Sequence, residues 1–256
     1  MDKIDIDSFD RIIAYGCSYT AGEELLDHEV LGISFEECNR LKNLSNKEDP
    51  SSFYKTLSKI VMDKIEITNQ HASWAGQLAK KLNKPLVNRA KGGSGIDEIL
   101  FNIVADRTSK VISDKDLVVV GLTYPERIIH ITDNQIITLH LGHPHRWPSR
   151  DEHKATVQLW NNSNTLFNYY KSLFILTKLG LNIKLQPICM PTLDTVNKKL
   201  RDQVIIPLTN EISDYMFFTT ETLNLDFPYK CGFGHVAVEA HIELADKLYK
   251  HYFKHE

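Results

Sequence analysis

Arg11-Ile12-Ile13-Ala14-Tyr15-Gly16-Cys17-Ser18-Tyr19-Thr20-Ala21-Gly22 begins as a short apolar run, stops at a glycine and passes into a small polar turn with a second glycine beyond it. Such a run, bounded by turn residues, reads as a buried strand. Three later segments repeat the pattern. Pro85-Leu86-Val87-Asn88 leads into Lys91-Gly92-Gly93-Ser94-Gly95, Leu117-Val118-Val119-Val120-Gly121 ignores polar alternation altogether, and 182–190 is again apolar. A strand that does not alternate is covered on both faces, as in a parallel sheet.

Helical patterns fill the gaps. Ser73 caps a helix carrying Trp74, Leu78 and Leu82, a second runs from Ile96 to about Ser109, and a long one ends before Gly180 with Leu159, Leu166, Tyr169, Tyr170, Leu173 and Leu176 inward. The last spans about 236–252, its apolar face on Val238, Ile242, Ala245 and Leu248. Strands alternating with helices predict one α/β domain over 1–256: a three-layer sandwich on a doubly wound, mainly parallel, flavodoxin-like sheet. Two segments look inserted into it. The first, at about 24–72, contains a Ser34/Glu37 capping box and a helix expected to start behind Ser52. The second, at about 124–155, suggests a hairpin around Asp133-Asn134.

In such sheets ligands bind beyond the carboxyl ends of the strands. The residues there are Cys17-Ser18-Tyr19-Thr20, Gly92-Gly93-Ser94, Thr123-Tyr124 and 191–194, with His235 in the loop before the final helix. A hydroxyl nucleophile needs a base within hydrogen-bond reach and donors aimed at the developing oxyanion. Ser18 and His235 can supply the first two, and Gly93 can bring an amide close.

These blocks resemble, in order, those of the SGNH (GDSL-like) hydrolases. Gly16-Cys17-Ser18 with Gly22 is similar to the first block, whose serine is the nucleophile. Ser73-Trp74 leading to Asn88 through Gly93 is similar to the second, and Val118 through Thr123 to the third. His235, with His241 six residues on, is similar to the fourth. The resemblance implies that Ser18 attacks an ester carbonyl, His235 is its general base and Gly93 gives an oxyanion amide. It implies acyl-ester, O-acetyl-sugar or thioester substrates, a small-molecule or carbohydrate ester as the binding partner, and no cofactor. Three positions depart from the pattern: Cys17 replaces the aspartate beside the serine, Thr123 the oxyanion asparagine and Gly232 the triad aspartate. Losing the orienting carboxylate of a triad can cost about 10⁴ in rate, so Asp226 or Asp194 is a substitute to weigh. The alternative is a non-catalytic member, the same fold serving as a carbohydrate-binding or assembly module.

Other residues carry rival readings. Cys17 could attack in place of Ser18, but reads better as buried filler. A contact between Cys17 and Cys231 is conceivable, with reduced thiols the plainer expectation. His140, His143, His145 and His153 lack regular ligand spacing, so no metal is expected, and His143, Arg146 or Trp147 could reach substrate. Arg127 could hold a polar or anionic substrate group, or form an ion pair with Glu126 or another neighbour. The net charge of -3 lacks the basic footprint of a nucleic-acid binder. No apolar run approaches membrane-spanning length, the start is acidic where a secretory signal is basic, and the four cysteines are sparse. A cytoplasmic protein is expected.

Overall fold

The computed structural model describes residues 3–23, 25–45, 53–131, 136–141, 151, 154, 162–187, 196–217 and 238–253. Its strands are β1 (Arg11–Tyr15), β2 (Leu86–Asn88), β3 (Asp116–Leu122), β4 (Arg127–Ile131), β5 (Ile136–His140) and β6 (Ile183–Pro187). Four of them form one sheet in the order β2-β1-β3-β6, with every pairing parallel. Beyond β6, Met216 bridges Leu185 in parallel, continuing the same direction. The chain leaves β1 to build β2 on one side, then crosses to build β3 on the other. The strand order therefore reverses between β1 and β3, and this reversal opens the crevice of a doubly wound sheet.

Alternate residues of the central strands feed two separate cores, because successive side chains of a strand point to opposite faces. Ile13, Tyr15, Val118 and Val120 pack with helices α6 (Ile96–Thr108) and α7 (Asn162–Thr177). Ile12, Ala14, Leu117 and Val119 pack with α5 (Trp74–Leu82) and α9 (Val238–Leu248). The result is the expected three-layer α/β sandwich. The expected inner face of the long helix is right where it is described: Leu166, Tyr169, Tyr170, Leu173 and Leu176 are all buried. Beyond the helix, Gly180 has φ 66, a left-handed conformation that suits a residue without Cβ.

In the described parts of the first inserted segment, α1 (Ser18–Ala21) is followed by α2 (Asp27–Leu31), α3 (Phe35–Ser45) and α4 (Lys59–Ala72). The Ser34 cap of α3 is present, Ser34 Oγ accepting from the Glu37 amide at 3.1 Å. The helix expected behind Ser52 instead begins at Lys59. Ser58 caps it by accepting from the Val61 amide, and Tyr54–Thr56 forms a separate 3-10 turn. Between α7 and α9, α8 runs over 198–212 and includes a π-helical stretch, Arg201–Ile205. The hairpin is present as β4 and β5, paired antiparallel.

The terminal helix corrects its expected face. Ile242 is 39% exposed, whereas His241 is buried beside Ala240, Leu244 and Ala245. The cause lies in α5, whose first amides have no intrahelical acceptor. His241 Nδ1 accepts from the Trp74 amide at 2.9 Å, which turns α9 so that the histidine faces inward.

At the crevice, the turn after β1 lies so close to the end of β3 that a Cβ on Gly121 would collide with Thr20 Oγ1, and one on Gly16 with the same hydroxyl. Gly121→Ala should therefore destabilise the chain by about 1–3 kcal/mol, the usual cost of overpacking. Combining it with Thr20→Ala should recover most of that loss. Urea titrations of the two single variants and the double variant would check this, since independent sites would give additive losses.

Candidate functional site

Ser18 heads the single turn α1, directly after the strand-ending Gly16 and Cys17. Its carbonyl accepts from the amides of Gly22 at 2.9 Å and Glu23 at 3.0 Å, and Gly22 closes the turn with φ 75. The Ser18 residue is itself buried, and Cys17 is fully so. Cys17 is thus the small filler that the sequence suggested.

The loop after β2 is latched onto this turn. The Lys91 amide donates to Gly16 O at 3.1 Å, and Asn88 Nδ2 donates to Thr20 O at 2.9 Å. Asn88 Oδ1 in turn accepts from the Ala90 amide at 3.0 Å, which orients its side chain. Gly92 lies against Glu23, so closely that a Cβ would meet the carboxylate. Gly93 has φ 82 with open space where a side chain would stand. A larger residue there would be strained by its backbone, not by crowding.

Thr123 follows the end of β3 and is buried. Arg127, the first residue of β4, returns to it: Nη1 donates to Thr123 Oγ1 at 2.9 Å and to Ser94 O at 3.3 Å. The expected ion pair with Glu126 or a neighbour does not form among the described residues. The tight connection over 123–126 turns the guanidinium back to Thr123, and its Cζ stands 5.3 Å from the centre of the Tyr124 ring. Gly95 packs on the Arg127 backbone, where a Cβ would collide with the carbonyl oxygen. The loops bearing Ser18, Gly93 and Thr123 and the start of β4 with Arg127 thus meet at one end of the sheet, where the strand order reverses.

His235, Asp226, Asp194, Gly232 and Cys231 lie outside the described residues, as do His143, His145, His153, Arg146 and Trp147. Of His140 the backbone position in β5 is described. Among the described residues no group of three His, Cys, Asp or Glu side chains could hold a metal, and no helix is long and apolar enough to cross a membrane.

Beside α1 opens a cleft of about 390 Å³ bounded by Ala21, Glu23, Met62, Ile65, Glu66 and Gly92. Its floor is a buried polar cluster that sequence reasoning missed. Asp27 Oδ2 accepts from Lys42 Nζ at 2.8 Å and from Tyr54 Oη at 2.6 Å, while Oδ1 accepts from Asn69 Nδ2 at 2.6 Å. Asn69 Oδ1 then accepts from the Leu26 amide at 2.8 Å, so the cluster ties α2, α3 and α4 together. A signal for Lys42 existed: it stands one helical turn after Cys38, which is buried. Thr20 and His241 were also missed as structural groups. For each, burial depends on a neighbouring element distant in the sequence.

No family model matches the sequence, and no curated protein matches it. Solved structures resemble it. One is a member of the lipolytic protein G-D-S-L family from Veillonella parvula, with 11% identity over 94% of this chain and 97% of that one, at TM-score 0.45. Another is a GDSL-like lipase described for Parabacteroides merdae, with 12% identity over 94% and 95% of the two chains, at TM-score 0.41. A third is a catalytic mutant of an acetylxylan esterase from Geobacillus stearothermophilus, with 10% identity over 96% and 97%, also at TM-score 0.41.

The cluster under the cleft makes a prediction about acid. Burial pushes the Asp27 carboxyl up, but the Lys42 charge and the hydrogen bonds from Lys42, Tyr54 and Asn69 outweigh it and hold the group below its ordinary value of 3.8. A depressed carboxylate contributes stability that is complete above the ordinary value and is lost as pH falls through the lower, folded one. Asp27→Asn should lower stability at neutral pH by about 3–5 kcal/mol, because it leaves Lys42 buried without its counter-charge. It should also flatten the acid limb of a melting-temperature profile between pH 5 and about 2. Melts of both proteins across that range would test this.

Proposed function

We propose that the chain is a serine hydrolase of the SGNH type that cleaves a carboxylic ester. Ser18 Oγ bonds to the carbonyl carbon while His235 removes its proton. The tetrahedral oxyanion is held by backbone amides at Ser18 and Gly93 together with the Thr123 hydroxyl. Collapse breaks the bond to the alkoxy oxygen, which leaves with the proton from His235. Water then repeats the sequence on the acyl-enzyme and releases the acid, restoring Ser18. With Gly232 where the family has an acid, Asp226 is proposed to orient the imidazole.

The observation that carries this reading is the latching of three separate loops at the strand-order reversal. The turn bearing Ser18 and the loop bearing Gly93 are joined by Lys91–Gly16 and Asn88–Thr20 hydrogen bonds, and that loop and Thr123 at the β3 end are joined through Arg127, which donates to both Ser94 and Thr123. These are the loops of the first three family blocks, and none of these links involves the proposed nucleophile. The substrate is proposed to be a small-molecule or carbohydrate ester, with the cleft beside α1 taking part of it. That cleft mixes apolar side chains with carboxylate and amide groups, as ligand pockets do. The buried, reduced thiol of Cys17 fits a cytoplasmic setting.

A second reading, a non-catalytic binding module, draws on the three signature side chains that differ at Cys17, Thr123 and Gly232. A fluorophosphonate probe separates the two. The wild-type chain and Cys17→Ala should be labelled covalently, Ser18→Ala should not, and His235→Ala should label at least about 10²-fold more slowly, the low end of what an assisting base contributes. Slow hydrolysis of p-nitrophenyl acetate should follow the same order. A folded wild-type chain that takes up no probe would leave the binding-module reading.

A further inference from the structure

Thr123 stands where the resemblance expects an asparagine amide, and the two groups differ in a way that matters for holding an oxyanion. An amide nitrogen carries protons in fixed directions, whereas a hydroxyl has one proton that rotates and two lone pairs. A lone threonine hydroxyl is therefore a poorly aimed donor. In this chain its environment aims it. Among the described residues, the hydrogen bond that Thr123 Oγ1 accepts from Arg127 Nη1 at 2.9 Å is the sole one made by that hydroxyl, and the residue is buried. One lone pair is thereby occupied by a cation. The hydroxyl proton has no acceptor among the described residues, and a buried donor left unspent costs free energy until something accepts from it.

Arg127 is unusual in a matching respect. It is half-buried and, among the described residues, forms no ion pair, whereas buried charges are usually paired. Its partners are the neutral Thr123 hydroxyl, the Ser94 carbonyl at 3.3 Å and the Tyr124 ring face. Its positive charge is thus delivered to the loop junction and is not cancelled there by a described carboxylate. Ser94 follows Gly93 directly, and Gly95 rests on the Arg127 backbone, so the same residue registers the Gly93 loop against the end of β3.

Building on the serine hydrolase reading, we infer that Arg127 is a positioning residue for the oxyanion site. By donating to Thr123 Oγ1 it turns the hydroxyl proton toward the carbonyl oxygen of an ester bound at Ser18. A threonine-arginine pair thereby replaces the asparagine. No bond to Arg127 forms or breaks. It acts through Thr123, so its contribution appears as the oxygen gains charge, in kcat rather than in substrate affinity.

The test is a rescue experiment on the full chain with p-nitrophenyl acetate and a carboxylate-bearing p-nitrophenyl ester. It compares wild type, Arg127→Met, Arg127→Lys, Thr123→Val, Thr123→Asn and two double variants, with circular dichroism melts to select folded protein. Arg127→Met should lower kcat on both esters by about 10²-fold, the loss typical of one oxyanion donor, with KM nearly unchanged. Adding Thr123→Val should cost nothing further, because the pair acts as one unit. Thr123→Asn should restore kcat in the Arg127→Met background, since an amide needs no arginine to aim it. If Arg127→Met does not fold, Arg127→Lys and Thr123→Asn carry the same comparison. An equal Arg127 loss with asparagine at 123, or a rise in KM confined to the anionic ester, would overturn the inference and make Arg127 a structural tie or a direct substrate contact. Active wild type with active Arg127→Met sinks this inference alone. Wild type that neither hydrolyses ester nor takes up fluorophosphonate sinks the hydrolase reading and this inference with it.

Discussion

The close approach of the turn after β1 to the end of β3 is the constraint on which the rest of the structure depends. Thr20 Oγ1 occupies space that Cβ atoms on Gly16 and Gly121 would fill, so the contact exists because glycine follows β1 and stands next to last in β3. It places α1 above the reversal of strand order and carries Ser18 with it. Without that approach, Asn88 could not reach the Thr20 carbonyl, and the loop with Gly93 would lose one of its two ties to the turn. The buried Thr20 hydroxyl has no hydrogen-bond partner among the described residues. The close contact is thus held at some cost in polar satisfaction, and rigid packing from both cores must offset it.

A second arrangement, the buried Lys42–Asp27 pair, shapes the space beside that turn. Two charges taken from water rarely stabilise a fold more than apolar side chains of the same size would. Here the carboxylate accepts from three donors on three segments, so the pair is satisfied as a network and specifies how α2, α3 and the Tyr54 turn meet. Of these, α2 contributes Asp27 and the turn Tyr54 to the cleft, and α4 adds Met62, Ile65, Glu66 and Asn69. Its shape is therefore set largely by α2, the Tyr54 turn and α4, with Ala21 and Glu23 after β1 and Ala90, Lys91 and Gly92 after β2 completing it. This division is common where a scaffold fixes the reacting atoms and a loop or added segment chooses among substrates.

The parallel sheet was legible because β1 and β3 must be buried on both faces, which leaves near-continuous apolar runs in 11–15 and 116–122 that no exposed strand could carry. The helices of the two outer layers were legible from Ser73, from Gly180 and from the spacing of Leu166, Leu173 and Leu176. Where the reading slipped, a local signal competed with a distant one. Ser52 and Ser58 both precede apolar residues at helical spacing, and the helix begins behind Ser58, whose hydroxyl accepts from the Val61 amide. Ile242 fits the apolar period of the last helix as well as His241 does, but the unsatisfied Trp74 amide of α5, from another part of the chain, needs an acceptor that isoleucine lacks.

At the candidate site the same division holds. The order of the blocks along the chain and the family they resemble were enough to nominate Ser18, Gly93 and Thr123 as candidates, and the place of Arg127 just after Tyr124-Pro125-Glu126 made it another. What Arg127 pairs with could not be read there. Its neighbour Glu126 offers a carboxylate one residue away, and preference along the sequence favours it. The tight connection from β3 to β4 instead folds the guanidinium back onto Thr123 and across to Ser94. Local periodicity and composition record which faces must leave water, and that information is written residue by residue. Which polar group meets which depends on how strands whose paired residues lie 74 and 105 positions apart are registered, and that follows from packing the two cores together.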